Sequence, residues 1–175
     1  LEAVKDYSEL LPKLAFAYQV TGDVKYADVA YEISLALGQW THWGPADVVS
    51  CATAVGNFTV AYDWLYNYYM TKPDGEERVK NLASIIYNKG VKHGYNSSFG
   101  KPCEFPKTSG DGDVYNTLTT YVNVVSSANM IIGAIALAQY DEYKTVSADL
   151  IGNNLQHLIA NGLDQYAPDG SYAES

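Results

Sequence analysis

The sequence predicts an all-α protein whose helical hairpins form part of an (α/α) toroid. Apolar residues recur at helical spacing along nearly the whole chain, and turn signals divide that pattern into pairs of segments. No stretch shows the strict alternation of a half-buried strand. A faint internal repeat also sets Ala15-Phe16-Ala17 before Gly22-Asp23-Val24-Lys25 against Ala134-Ile135-Ala136 before Asp141-Glu142-Tyr143-Lys144. The hairpins are spaced more widely and less evenly than in a tetratricopeptide array, which favours a toroid.

The first hairpin pairs a segment carrying Leu11, Leu14, Ala15 and Tyr18 with one carrying Tyr26, Ala30, Ile33 and Leu37. Thr21-Gly22-Asp23 between them reads as a turn that ends in an N-cap. The second hairpin begins with a helix from about Asp47 to Tyr69, with Val48, Ala52, Val55, Thr59, Tyr62 and Tyr66 on one face. Pro73-Asp74-Gly75 breaks it before a helix containing Val79, Leu82, Ala83 and Ile86. From His93 to about Asp113 the chain has no period and is rich in Gly, Pro, Ser and Asn, which predicts a long loop. The third hairpin joins a helix over roughly 115–140 to one over roughly 142–161, with Gly162 as its C-cap. Tyr62 and Trp64 fall mid-helix on an apolar face and read as core.

The chain has 175 residues, 47% of them hydrophobic and 18% charged, so it can bury a sizeable core and is not disordered in composition. A net charge of -9 without a Lys/Arg cluster excludes nucleic acid and anionic membrane surfaces as partners. No apolar run is long enough to cross a bilayer. Leu1 to Asp6 lacks the basic and apolar parts of a signal peptide, which leaves a cytoplasmic protein or a signal lying upstream. Cys51 and Cys103 are compatible with one bridge or with two thiols. Sixteen Tyr against four Phe suits either a sugar-stacking surface or a half-buried core. No cofactor or metal is implied, because neither a metal-ligand cluster nor a phosphate-cradling Gly-rich loop is present.

Three stretches carry a family resemblance. Ala61-Tyr62-Asp63-Trp64-Leu65-Tyr66 follows Gln39-Trp40-Thr41-His42-Trp43; then come Asn123-Val124-Val125-Ser126-Ser127-Ala128-Asn129-Met130 and Tyr166-Ala167-Pro168-Asp169-Gly170-Ser171-Tyr172-Ala173-Glu174. In order and spacing they resemble the heparinase II/III-like polysaccharide lyases and their alginate-lyase relatives. The resemblance covers most of the chain. It implies an (α/α) toroid followed by a β-sandwich, with residues 1–175 forming one partial toroid domain of about three hairpins. It also implies a bacterial enzyme that is secreted or periplasmic. The last residues read as a loop broken off partway, so the chain is expected to be a piece of a larger protein.

Such lyases cleave a uronate by β-elimination. The carboxylate is neutralised, the C5 proton removed and the leaving oxygen protonated. The resemblance implies Asn123 as the catalytic residue that holds the carboxylate. Thr120, Tyr121 and Val122 stand where the family has Asn, Asn and Trp. The family's catalytic Tyr would fall a few residues after Glu174 and its partner His farther on, so this chain alone is expected to be inactive. Substrate contacts are expected from His42, Trp43, Tyr121, Tyr172 and Glu174, with Trp43 as the stacking platform. Lys101, Lys107 and His93 are the cations near the long loop that would favour an acidic polysaccharide or oligosaccharide.

Two alternatives stay open. A non-catalytic glycan-binding or scaffolding toroid would tolerate the altered Asn motif. A toroid glycoside hydrolase would need two facing acids, drawn from Glu104, Asp111, Asp113 and Glu174.

Overall fold

The computed structural model describes residues 2–44, 48–98 and 121–164, and every regular element among them is helical. The first hairpin comprises α1 (Glu2–Ser8), α2 (Leu10–Thr21) and α3 (Val24–Gln39). Gly22, at φ 69°, ends α2 in the left-handed conformation, and Asp23 caps α3 by accepting from the Lys25 N–H at 3.1 Å. Both parts of the predicted turn therefore form.

The second hairpin consists of α4 (Val48–Met70) and α5 (Gly75–Ile86). Val79, Leu82, Ala83 and Ile86 are buried on one stripe of α5, which is amphipathic because its other side meets water. α4 is the central helix. Ala52, Val55, Phe58, Thr59, Tyr62, Leu65 and Tyr69 are all buried, because α1, α2, α3, α5 and the third hairpin each pack against it.

α5 does not stop where the periodicity fades. It passes through a single π-helical turn, Tyr87–Val91, into α6 (Lys92–Ser98), so the expected loop does not begin at His93. Gly94 reads as a loop residue in the sequence, but a Cβ there would sit 2.7 Å from Met130 Sδ; the glycine serves close helix packing. The remainder of that predicted loop, residues 99–120, lies outside the described residues. The third hairpin is α7 (Tyr121–Leu137) and α8 (Lys144–Asp164). Gly162 lies inside α8 rather than capping it; a glycine weakens a helix by about 1 kcal/mol without ending it.

Cross-contacts fix the directions. Ser8 and Tyr18 meet Asn57 and Tyr68, while Gly56 abuts Asn129 and Tyr62 shares a hydroxyl–hydroxyl bond with Tyr140. Residue numbers rise together in both series, so α1–α2, α4 and α7 run parallel in one layer. The second layer behaves alike. Tyr31 stacks under Arg78 and Gly38 abuts Ile85, and Tyr87 and Tyr95 meet Tyr143 and Asp149. α3, α5–α6 and α8 are therefore parallel to each other and antiparallel to the first layer.

Val55 joins three elements: one methyl faces Gly90 of the π turn and the other faces Gly133 of α7. An added Cβ at Gly90 would collide with Val55 Cγ2, and one at Gly133 would come within 2.7 Å of Cγ1. β-branched Val has little rotamer freedom in a helix to make room. Gly90→Ala is therefore expected to destabilise by about 1–3 kcal/mol, since overpacking outweighs the gain in helix propensity. Gly152, on exposed α8 surface with nothing within 4 Å of its Cβ direction, is the control. Gly152→Ala should stabilise by about 0.5–1 kcal/mol. Urea midpoints at constant m-value measure both, and a Gly90→Ala midpoint above wild type would contradict the packing described.

Candidate functional site

The turn between α3 and α4 carries the sequence-predicted residues that the structure describes best. α3 ends because Trp40 adopts an extended conformation, its N–H still reaching the Leu37 carbonyl. The chain then folds back, and Trp43 Nε1 donates to the same carbonyl at 3.0 Å. Trp43 is 0% exposed and packs on Phe58 at 5.4 Å between ring centroids. With its faces covered and its N–H bonded, it pins the turn to the core and is not a stacking platform. The sequence placed it in a loop and so missed its burial.

His42 is exposed. Its Nδ1 accepts from the Gly44 N–H at 3.1 Å, and Gly44 reaches that position at φ 71°. In the neutral ring the proton is therefore on Nε2. A cavity of about 100 Å³ lies against Val4, Trp40, His42 and Gly44. A second of about 310 Å³, also lined by Trp40, lies against Tyr7 and the α3 residues Ile33, Ala36 and Leu37. Tyr7 and Trp40 meet edge to face at 5.9 Å, giving that space two aromatic walls at right angles.

A residue not singled out in the sequence holds the turn. Lys89 Nζ donates to the Trp40 carbonyl at 2.6 Å and to the Thr41 carbonyl at 3.4 Å. The π turn also brings the Lys89 carbonyl to 3.9 Å from the Cys51 Sγ, which is buried in α4. Lysine is a natural cap for carbonyls at a helix C-terminus. The signal was absent locally because Lys89 and the carbonyls are about fifty residues apart in the chain.

Tyr121 and Asn123 occupy the first turn of α7. Gly56 abuts Asn129 and Val55 abuts Gly133, so parallel α4 and α7 have the residues Val48 and Tyr121 toward the same end of the layer, offset by at most about five residues. The His42 turn leads directly into α4, so the structure brings it to the same end of the layer as Tyr121 and Asn123. Tyr172 and Glu174, and likewise Lys101, Cys103, Glu104, Lys107, Asp111 and Asp113, lie outside the described residues. His93 is buried in α6 rather than offered on a loop.

Trp64 departs from its predicted core position: it is 41% exposed, tilted against Phe16 at 6.3 Å, and its carbonyl accepts from Gln19 Nε2. Tyr62 is buried as expected. Tyr18, Tyr31, Tyr68 and Tyr69 form one ring cluster, and Tyr62, Tyr66, Tyr87, Tyr140 and Tyr143 another, both in the core or packed against it. Burial pushes the phenols of Tyr31, Tyr62, Tyr68, Tyr69, Tyr140 and Tyr143 up from their ordinary value. A raised phenol holds its proton across the physiological range, and the Tyr62 and Tyr140 hydroxyls share one hydrogen bond.

Among the described residues no three His, Cys, Asp or Glu side chains are grouped to hold a metal, and no helix is long and apolar enough to cross a membrane. No family model matches the chain, and no curated protein matches it.

Trp43→Ala separates core from stacking. As a core residue it should cost about 3–5 kcal/mol in chemical denaturation, whereas an exposed platform would cost within about 0.5 kcal/mol.

Proposed function

We propose that this chain is part of the (α/α) toroid of a heparinase II/III-like polysaccharide lyase that cleaves a uronate-containing glycan by β-elimination, in a bacterial enzyme that is secreted or periplasmic. The observation that carries the reading is the shared end: parallel α4 and α7 set the His42 turn and the first turn of α7, with Asn123, at one end of the layer. Two antiparallel layers, each internally parallel, are also the arrangement by which helical hairpins curve into a toroid.

In this reading the Asn123 amide neutralises the uronate carboxylate. His42, its ring oriented by the Gly44 N–H at Nδ1, borders the sugar site. The base and the acid come from the Tyr and His that the resemblance implies beyond Glu174. The described tyrosines with raised phenols are unsuited to that role.

The protein that carries this chain should raise the ultraviolet absorbance of unsaturated uronate with one of heparan sulfate, hyaluronan, chondroitin sulfate or alginate. Asn123→Ala should lower kcat about 10²–10³-fold, the scale for removing one charge-stabilising donor. His42→Ala should act chiefly on KM. Thr120-Tyr121-Val122 in place of Asn-Asn-Trp favours a second reading, a toroid that binds glycan without cleaving it. Silence across the panel with glycan still bound would select that reading over the lyase.

A further inference from the structure

We infer that Lys89, delivered by the π-helical turn, is a positioning residue that sets the orientation and tautomer of the His42 imidazole. The inference rests on the reading that the His42 turn belongs to the functional site. Two observations combine. The Lys89 ammonium spans two successive carbonyls, those of Trp40 and Thr41, directly before His42. The His42 ring is then fixed from the following side, because Nδ1 accepts from Gly44 N–H. The two anchors bracket one residue. Each of them depends on the path of the chain between Trp40 and Gly44, so releasing the first frees the second to drift.

The π turn is what allows this. Tyr87–Val91 interrupts the α-helical course of α5–α6 at the point where Gly90 must fit against Val55 and Trp43. Single π turns inside α-helices recur at functional sites. Here the geometry has a definite product: the Lys89 side chain reaches the Trp40 and Thr41 carbonyls, just past the C-terminal end of α3. Lysine suits the task better than a neutral donor. Its charge complements the negative end of α3, and its three N–H groups bond two carbonyls at once.

A cap that served stability alone would leave the imidazole unaffected. Long-range ¹H–¹⁵N spectra of the His side chains in the full 175-residue chain read this directly, with His42→Gln assigning the signal. In wild type, neutral His42 should show the Nε2–H tautomer. In Lys89→Met the single-tautomer signature should be lost, and the Gly44 amide should exchange about tenfold faster or more, the change expected on losing a charge-assisted hydrogen bond. Lys89→Arg, which keeps charge and donors, should retain both signatures. Should Lys89→Met not fold, Lys89→Gln, with a neutral donor on a shorter stem, carries the same expectation of loss. A folded Lys89→Met or Lys89→Gln chain with an unchanged His42 tautomer and unchanged Gly44 exchange would overturn the inference. These readouts need no glycan, so a failure of the lyase reading shows in the absorbance assay and a failure of this one shows in the spectra.

Discussion

Val55 sits in a double notch, one methyl against Gly90 and the other against Gly133, and the arrangement of both layers depends on that fit. Glycine at both contacts lets backbones approach more closely than any side chain would allow, and the β-branched valine between them cannot turn aside. The first contact draws the π turn onto α4, and with it Lys89 onto the end of α3. The second draws α7 alongside α4 in parallel register. Packing in the middle of the molecule thus determines what meets at its end. A change of one methyl at Gly90 would be felt some distance away, at the turn carrying His42, because close-packed interiors transmit displacement rather than absorb it.

Parallel register gives the layer its polarity. Every hairpin returns its chain to the starting end before the next begins, so the connections α3 to α4 and α6 to α7 leave from the same side. Loops at one end of a rigid stack are a common location for function, since the stack supplies precision and the loops supply variety. The opposite end holds short connections and close ion pairs: Lys25 with Asp23 at 2.9 Å and Arg78 with Asp74 at 2.7 Å. These pairs are exposed and add little to stability.

The helices were legible because amphipathic spacing is local. Leu11, Ala15, Val79, Leu82 and Ile86 were all assigned to buried stripes by period alone, and they are buried. What failed depended on partners distant in the chain. Gly94 and Gly162 have loop-like identities but helical surroundings, and only Met130 explains the first. Trp43 looked available because it lies between helices, yet Leu37 and Phe58 enclose it. Trp64 looked enclosed because α4 is apolar nearly all round, yet it falls on the side where Phe16 is its aromatic neighbour. For the candidate site, residue types and order singled out His42 and Asn123, while the register placing them toward one end of the layer came from glycine contacts that no local pattern announces. Lys89 had no signal at all, since its partners are carbonyls.

Net charge gives a weaker constraint on partners than it first implies. A chain at -9 should repel an acidic glycan, but repulsion acts locally. Asp23, Asp28, Asp74, Glu76, Glu77, Asp141 and Glu142 cluster at the end of the layers remote from His42, around the turns that join each hairpin. α4 has 23 residues and so spans about 35 Å between the two ends. At physiological salt the Debye length is about 8 Å, so the acidic end lies several screening lengths from the His42 turn. Among the described residues, the elements reaching that end carry Glu2, Lys5 and Asp6 in α1 and Lys89 and Lys92 on the π turn and the start of α6. Among the described residues the carboxylates thus gather at the far turns, and the His42 end is nearer to charge balance than the net -9 of the whole sequence implies.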